Sequence, residues 1–515
     1  MSGGTSARRG RRLRDRLPVR LRHHWKPAAV LGVGLAAMVV FLGDVRISPY
    51  VTSSSRVEAD PITDDVGGTV DLYDTSVAHT LQITYEQTDF DKMMKEFRED
   101  GTKEYIKADL VVDGVYLNDV GIRLKGNSTL MSLRGGRGMP GGGRGLPDGA
   151  PTGAVRAPGG ATEGGAPGET GQRGGGGMGG MVQYDLSADK PEELPWLVKI
   201  DEYVEGRAYQ GEREISLRPG SKGQVPLNEA LALSLTGLSG QKAERYGFTE
   251  LTVNNRPAAT RLMVEAPDTD YADDVGDGNG VLYKAKAGGS FAYRGDDPTD
   301  YESSFKQLNK KGSQDLEPVM KLIKWVNNAS DEEFARDLGK YVDVESFAEY
   351  LASQNLLLNF DDMAGPGKNY LLWYDLDTKK FSVLGWDYNL TFSGDATAGP
   401  EDEIGMGGGL PGARPEGLPQ GAADTEGRGP GAMEHVLKTR FLASDAFDGV
   451  YQEAYRELYR KFYGSGAAAE NLEAVAEQAR AAGAGSEELE SSVTRLRQTV
   501  TDRTAALAEN KEVTG

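Results

Sequence analysis

The 515-residue chain contains no cysteine. Disulfides, thiolate nucleophiles and cysteine zinc sites are therefore excluded. Histidine is nearly as scarce: His23, His24, His79 and His435 are the four present. A histidine metal cage is poorly supplied, and a Ser-His-Asp triad would have to draw on one of these four. Long apolar runs are also few. The one that stands out is 28–43, sixteen uncharged residues flanked by Trp25 and a basic arm. That is somewhat short of the ~20 residues that cross a bilayer, yet enough to span with its flanks.

The formal net charge is −20, but it is unevenly placed. Residues 1–27 hold nine Arg and Lys against Asp15, a net of +8, which leaves −28 for the rest. Basic residues before an apolar run orient a single anchor with the N-terminus in the cytoplasm, so 47–515 are expected outside. A cleaved signal peptide is the rival; Asp44, Val45 and Arg46 follow at once and offer no small-residue cleavage site. The acidic remainder argues against nucleic acid as a partner. It suits metal ions, basic protein segments or solubility.

The pattern along the chain mixes strands and helices. A stalk is expected over 44–78. Residues 80–85 alternate as a strand and 89–98 read as a helix. Asp113 and Gly114 mark a hairpin between 108–112 and 115–124. Glycine then dominates 134–183, and a second low-complexity tract covers 396–432. Neither has the apolar content to build a core. Pro226 introduces a helix over 227–236. Residues 251–253 and 260–264 form a hairpin across Asn254 and Asn255, and 268–280 read as a solvated Asp/Gly turn that fails calcium-loop spacing. Helices are expected over 315–327, 331–338, 344–358, 435–441 and 446–463, followed by a helical hairpin over 467–510.

The most informative stretch is 355–392, NLLLNFDDMAGPGKNYLLWYDLDTKKFSVLGWDYNLTF. Asp361 and Asp362 end an apolar helical run. A Gly-Pro-Gly loop leads to Lys368 and Asn369. Two strands, 370–374 and 381–384, then deliver Asp387 between Trp386 and Tyr388. Phosphoryl transfer needs one carboxylate to orient the attacking hydroxyl and another to hold Mg²⁺, and this order supplies both. A carboxylate set among aromatics is costly unless a cation or hydrogen bonds compensate.

The stretch resembles the spore-coat protein H (CotH) kinase family, which carries an Asp-rich loop, an N-Y-x-L-Y strand and a W-D-x-[DN] strand end. Residues 121–129, GIRLKGNST, are similar to the family's I-R-[LI]-[RK]-G-N-S-[ST]. Residues 198–203, VKIDEY, are similar to its [RK]-[LI]-K-[FI]-D-x-[YF] strand. Residues 227–231, 250–265 and 280–284 (GVLYK) match further motifs, so the likeness runs over about 79–465. It implies an α+β, atypical protein-kinase-like two-lobed fold; in this chain that fold is expected to carry the long Gly-rich insertions, a departure from the family's pattern, and to follow one N-terminal transmembrane helix read from 28–43. The expected divisions are a basic arm 1–27, an anchor 28–43, a stalk 44–78, the kinase-like domain 79–465 and a helical tail 466–515.

The resemblance also implies site roles. Lys199 would grip phosphate, with Glu229 on the following helix as its orienting acid. Lys125, Gly126, Asn127 and Ser128 would cradle phosphate, and Lys368 would neutralise it. Asp362 would be the base, with Asp361 as the alternative. Asn369 and Asp387 would hold Mg²⁺ or Mn²⁺, assisted by Asn389. The reading is a membrane-anchored kinase moving the ATP γ-phosphate to Ser/Thr of a cell-surface or coat protein. A non-catalytic surface module with a degenerate kinase fold is the alternative. A glycosidase using two of the acids is a third.

Overall fold

The computed structural model describes residues 61–126, 128–134, 184–220, 224–402, 404, 434–485 and 487–515. The expected anchor at 28–43, Asn127 and most of both Gly-rich tracts lie outside the described residues. Among the described residues no helix is long and apolar enough to cross a membrane.

The chain opens with β1 (Asp64–Val66) and β2 (His79–Tyr85). In β2 alternate residues are buried, so Leu81, Ile83 and Tyr85 face inward. Helix α1 (Gln87–Asp100) buries Phe90, Met93, Met94 and Phe97, the i, i+3, i+4, i+7 pattern of one helix face. Gly101 stops it in a left-handed conformation, φ 77°, donating its N–H to the Phe97 carbonyl. Strands β3 (Ile106–Val112) and β4 (Val115–Leu124) meet at Asp113 and Gly114, both left-handed as a tight hairpin requires. Next come β5 (Trp196–Lys199), β6 (Arg207–Tyr209), β7 (Glu214–Leu217), α2 (Leu227–Ser239), β8 (Tyr246–Val253) and β9 (Ala259–Glu265). Seven of these strands close a barrel in the order β2-β3-β4-β5-β7-β9-β8, with β8 parallel to β2 at the seam. Ile83, Leu110, Ile122, Trp196 and Val198 fill its interior.

Residues 61–78 differ from the stalk expected there. Strand β1 pairs in parallel with β6, and Leu72 and Tyr73 enter the barrel core. Two apolar side chains and three bridging residues suffice to fold a polar segment onto a sheet. Residues 268–280 also differ from the solvated turn read in the sequence. The Asp268 carboxylate accepts from the N–H groups of Asp270 and Tyr271, starting a short helix α3 (Thr269–Asp273) that buries Tyr271.

The second lobe is built on an antiparallel sheet, β11-β10-β12-β13, of β10 (Gly280–Ala285), β11 (Phe305–Gln307), β12 (Tyr370–Asp375) and β13 (Phe381–Gly385). Helices α4 (Glu317–Asn328), α5 (Asp331–Asp337) and α6 (Val344–Leu356) precede β12. After β13 come α7 (Val436–Leu442), α8 (Asp445–Tyr459), α9 (Ala467–Ala481), α10 (Glu487–Glu509) and α11 (Lys511–Thr514). Helix α2 shares this lobe's core and packs on α9, although it sits between barrel strands in sequence. Arg503 of α10 is wholly buried and donates to the Asn355 carbonyl and side chain at the end of α6. The C-terminal helices thus brace the segment that carries Asp361 and Asp362.

Candidate functional site

Helix α6 ends at Leu356, and Leu358 turns the chain with φ 50°. The Asn359 side chain accepts from the Asp361 N–H at 3.1 Å. The loop that follows must pass close to Asp361. A side chain on Gly365 would collide with the Asp361 backbone, and one on Gly367 with the Asp361 carboxylate. The Gly-Pro-Gly sequence is therefore required by close approach rather than by left-handed geometry.

The adjacent acids meet different partners. Asp361 is 6% exposed and has two neutral donors: the Gly367 N–H at 2.5 Å on Oδ1 and the Asn369 amide at 3.0 Å on Oδ2. The same Asn369 amide donates to the Asp387 carbonyl at 3.4 Å, which ties the loop to the end of β13. Desolvation, then Asp387 and Asp362, push the Asp361 carboxyl up to about 7 against the lowering pull of Gly367 and Lys368. Asp362 is also buried, but Lys438 of α7 forms an ion pair with its Oδ2, and Oδ1 accepts from the Ala364 N–H at 2.8 Å.

Asp387 sits in a left-handed conformation, φ 58°, at the strand end. Asp is among the few side chains that tolerate this region, and non-glycine residues there concentrate at functional sites. Its carboxylate lies 3.3 Å from Arg218, and its N–H donates to Glu244 at 3.4 Å. Arg218 is buried and bonds Glu229 of α2 at 2.5 Å. Glu229, Arg218 and Asp387 therefore form one charge chain joining α2, the end of β7 and the end of β13.

Lys125 and Lys284 feel the same charges. Desolvation and neighbouring Arg218 lower Lys125 to about 8, opposed by Asp387, Glu214 and Glu229. Desolvation and Lys125 lower Lys284 to about 7, opposed by Asp387. The Lys284 ammonium lies over the Trp386 ring, 3.3 Å from its centroid. Arg218 thus contacts Asp387, and Lys125 and Lys284 lie within its field. Burial raises Glu229 to about 7 despite Arg218.

Lys199 and Glu229, expected as grip and orienting acid, do not meet. Lys199 pairs with Glu202 at 2.8 Å and Asp201 at 3.7 Å. The reason is strand alternation: Trp196 and Val198 point into the barrel core, which puts Lys199 on the other face. Arg218 takes the place beside Glu229. Gly126 is left-handed, φ 107°, and its carbonyl accepts from Lys103. Ser128 begins a short 3₁₀ turn, Ser128–Arg134. Lys368, φ 53°, donates to the Ala364 and Glu434 carbonyls and feels Asp362 and Asp361.

Sequence reasoning missed Arg218, Lys438, Glu244 and the role of Lys284. Lys284 ends a quoted motif, GVLYK, so a signal existed. Arg218 had only its position after an apolar strand, before Pro219 and Gly220. Lys438 and Glu244 had none.

The residues fit a hard divalent cation. Asn389 carries a buried side-chain oxygen that meets no hydrogen-bond donor among the described residues. Asp387, Asn389 and the Asn369 oxygen left free by its donating amide are an all-oxygen set. Among the described residues no three His, Cys, Asp or Glu gather as a cage. Mg²⁺ takes one or two carboxylates and completes its shell from phosphate and water.

A family model described as CotH kinase protein matches residues 179–506. Inner spore coat protein H of Bacillus subtilis (strain 168) is 23% identical over 198 residues, 38% of this chain and 54% of that protein. The chain spans about half the length of the curated relative it matches.

Proposed function

The chain belongs to the CotH kinase protein family, and on that premise we propose that it transfers the γ-phosphate of ATP to Ser or Thr of a protein at the cell surface. The observation that carries the reading is the charge chain from Glu229 through Arg218 to Asp387, flanked by Lys125 and Lys284. Paired carboxylates alone would also serve glycoside hydrolysis. One arginine in contact with Asp387 and two lysines within its field instead favour a phosphate ligand.

Asp387, Asn369 and Asn389 would hold Mg²⁺ or Mn²⁺, which when bound neutralises charge on the phosphates. Lys125, Lys284 and Arg218 supply the grip, with Glu229 fixing Arg218. Asp361 is the better base of the two acids. Among the described residues it forms no ion pair, it is held by two neutral donors, and it senses Asp387 more than Lys368. It takes the proton of the acceptor hydroxyl while Asn369 keeps it oriented. Asp362 and Lys438 anchor the loop. The ion pair with Arg218 engages one oxygen of Asp387, and this favours a non-catalytic surface module as the second reading.

Calorimetric titration of the full chain with a non-hydrolysable ATP analogue tests the reading. Binding that requires Mg²⁺ or Mn²⁺, followed by labelling of a protein acceptor from γ-labelled ATP, supports it. No binding with either metal leaves the non-catalytic module. The basic arm and the apolar 28–43 further support an anchor with its N-terminus in the cytoplasm. Protease added to intact cells then degrades 47–515 and spares 1–27.

A further inference from the structure

Two consecutive residues of α2 reach the segment that follows β13. Glu229 does so through Arg218, which lies 3.3 Å from the Asp387 carboxylate. Asn228 does so directly. Its amide donates to the Asn389 carbonyl at 2.8 Å and to the Thr391 carbonyl at 3.2 Å. In return, the buried Thr391 hydroxyl shares its proton between the Asn228 carbonyl at 3.2 Å and the Tyr388 carbonyl at 2.8 Å.

Both partners of the Asn228 side chain are main-chain carbonyls, so the group turned to them is the NH₂. Contacts of this kind fix the path of the backbone and read no side chain. The bonds also do nothing for α2 itself. Asn228 stands in the first turn of that helix, after Pro226, and both of its amide bonds leave the helix. Asn is a weak helix former at such a position. Its contribution lies in the segment it grips.

That segment has little of its own to hold it. Asp387 is left-handed, and Tyr388–Leu390 make one short 3₁₀ turn, closed by the Thr391 N–H on the Tyr388 carbonyl at 3.2 Å. On its far side the Phe392 N–H donates to the Leu357 carbonyl at 2.9 Å, next to the end of α6. Asp387 precedes the turn and Asn389 lies within it. Two of the three oxygen ligands assigned to the divalent cation therefore take their direction from this turn.

We infer that Asn228 is a positioning residue of the metal site. By clamping the Asn389 and Thr391 carbonyls it sets the direction in which Asp387 and Asn389 present their oxygens to the cation. The inference rests on the proposed kinase reading, which supplies the cation. It makes α2 a double support of one segment, through Glu229 and Arg218 at Asp387 and through Asn228 two and four residues later.

The test is Mn²⁺ titration of the full chain, followed by electron paramagnetic resonance, with and without a non-hydrolysable ATP analogue. Asn228→Leu keeps the size, suits a helix and adds no charge near the cation. It should weaken Mn²⁺ binding about tenfold, as the loss of two hydrogen bonds that hold the ligands requires. Thr391→Val should weaken it several-fold, and Thr391→Ser should restore the parental affinity. In the metal-free chain, hydrogen exchange at the Thr391 and Phe392 amides should quicken in Asn228→Leu, while amides of α10 keep their parental rates. A merely structural asparagine would lower the melting temperature and leave Mn²⁺ affinity unchanged where the chain is folded. Parental affinity in Asn228→Leu therefore overturns the inference, as does a parent that takes up no Mn²⁺ with or without the analogue. A parent that binds Mn²⁺ but no nucleotide would sink the kinase reading alone, and the variants would still decide this inference.

Discussion

Asp361 and Asp362 are neighbours in sequence and both are buried, yet they sit in different electrostatic settings. Asp362 faces a helix that supplies Lys438, and its charge is matched. Asp361 faces the sheet end, where neutral donors hold it and Asp387 repels it. The difference teaches what burial alone does not. A buried acid paired to a lysine is compensated in place, while one held by amides near another acid has its proton affinity raised. The same contrast holds for the lysines: Lys199 is spent on Glu202 and Asp201, while Lys125 and Lys284 gather around Asp387.

The largest effect is expected from removing the cation that serves the charge chain. Arg218→Ala leaves Glu229 buried without its partner and should cost about 3–5 kcal/mol of stability, the usual penalty for half a buried pair. The loss should shrink at low pH, where Glu229 takes up a proton. Denaturant unfolding at several pH values measures both.

A smaller effect separates the two acids themselves. Asp362→Asn should lower stability by roughly 1–3 kcal/mol, because it strands Lys438 while that lysine keeps some access to water. Asp361→Asn should leave the metal-free protein as stable or more so, since it removes a charge that burial disfavours. Thermal melts of both variants without divalent cations give the comparison.

The pH dependence tests the same burial from another side. A raised carboxyl pKa means that the native chain binds protons the unfolded chain has released, so its contribution falls as pH rises between the two values. Asp361, Glu229 and Glu244 are each raised to about 7, mainly by burial. Metal-free stability should therefore fall from about pH 4, near the unfolded values, to about pH 7. Lys284, lowered to about 7, and Lys125, lowered to about 8, act oppositely above that. Asp361→Asn should flatten the acidic part of the curve. The least change is expected from Lys199→Ala, whose part-exposed pairs contribute about 0–1 kcal/mol and which should bind nucleotide as the parent does.

Much of the second lobe was legible because its site is local. One stretch of sequence held Asp361, Asp362, Asn369 and Asp387, and turn chemistry and strand period placed them correctly. Strand alternation carried the hairpins of the barrel equally well. What could not be read was pairing over long separation. Arg218 meets Glu229 and Asp387, and Lys438 meets Asp362, through the packing of segments far apart in sequence. Lys199 looked like the grip from its motif, but which face of a four-residue strand looks inward is set by the barrel's register. The helix at 269–273 was hidden because its cap is an aspartate, the same residue that marks a solvated turn.

On the proposed reading Asp361, rather than the lysine-paired Asp362, performs the chemistry. Single-turnover labelling from γ-labelled ATP, with nucleotide saturating and Mg²⁺ present, tests it on Asp361→Asn and Asp362→Asn side by side. Asp361→Asn should bind nucleotide and lose transfer by about 10²–10⁴-fold, the range for a removed general base. Asp362→Asn should keep transfer within roughly tenfold of the parent at temperatures where it is folded, a difference of ~1.4 kcal/mol. The reverse ranking, with Asp362→Asn silent and Asp361→Asn active, would contradict the account.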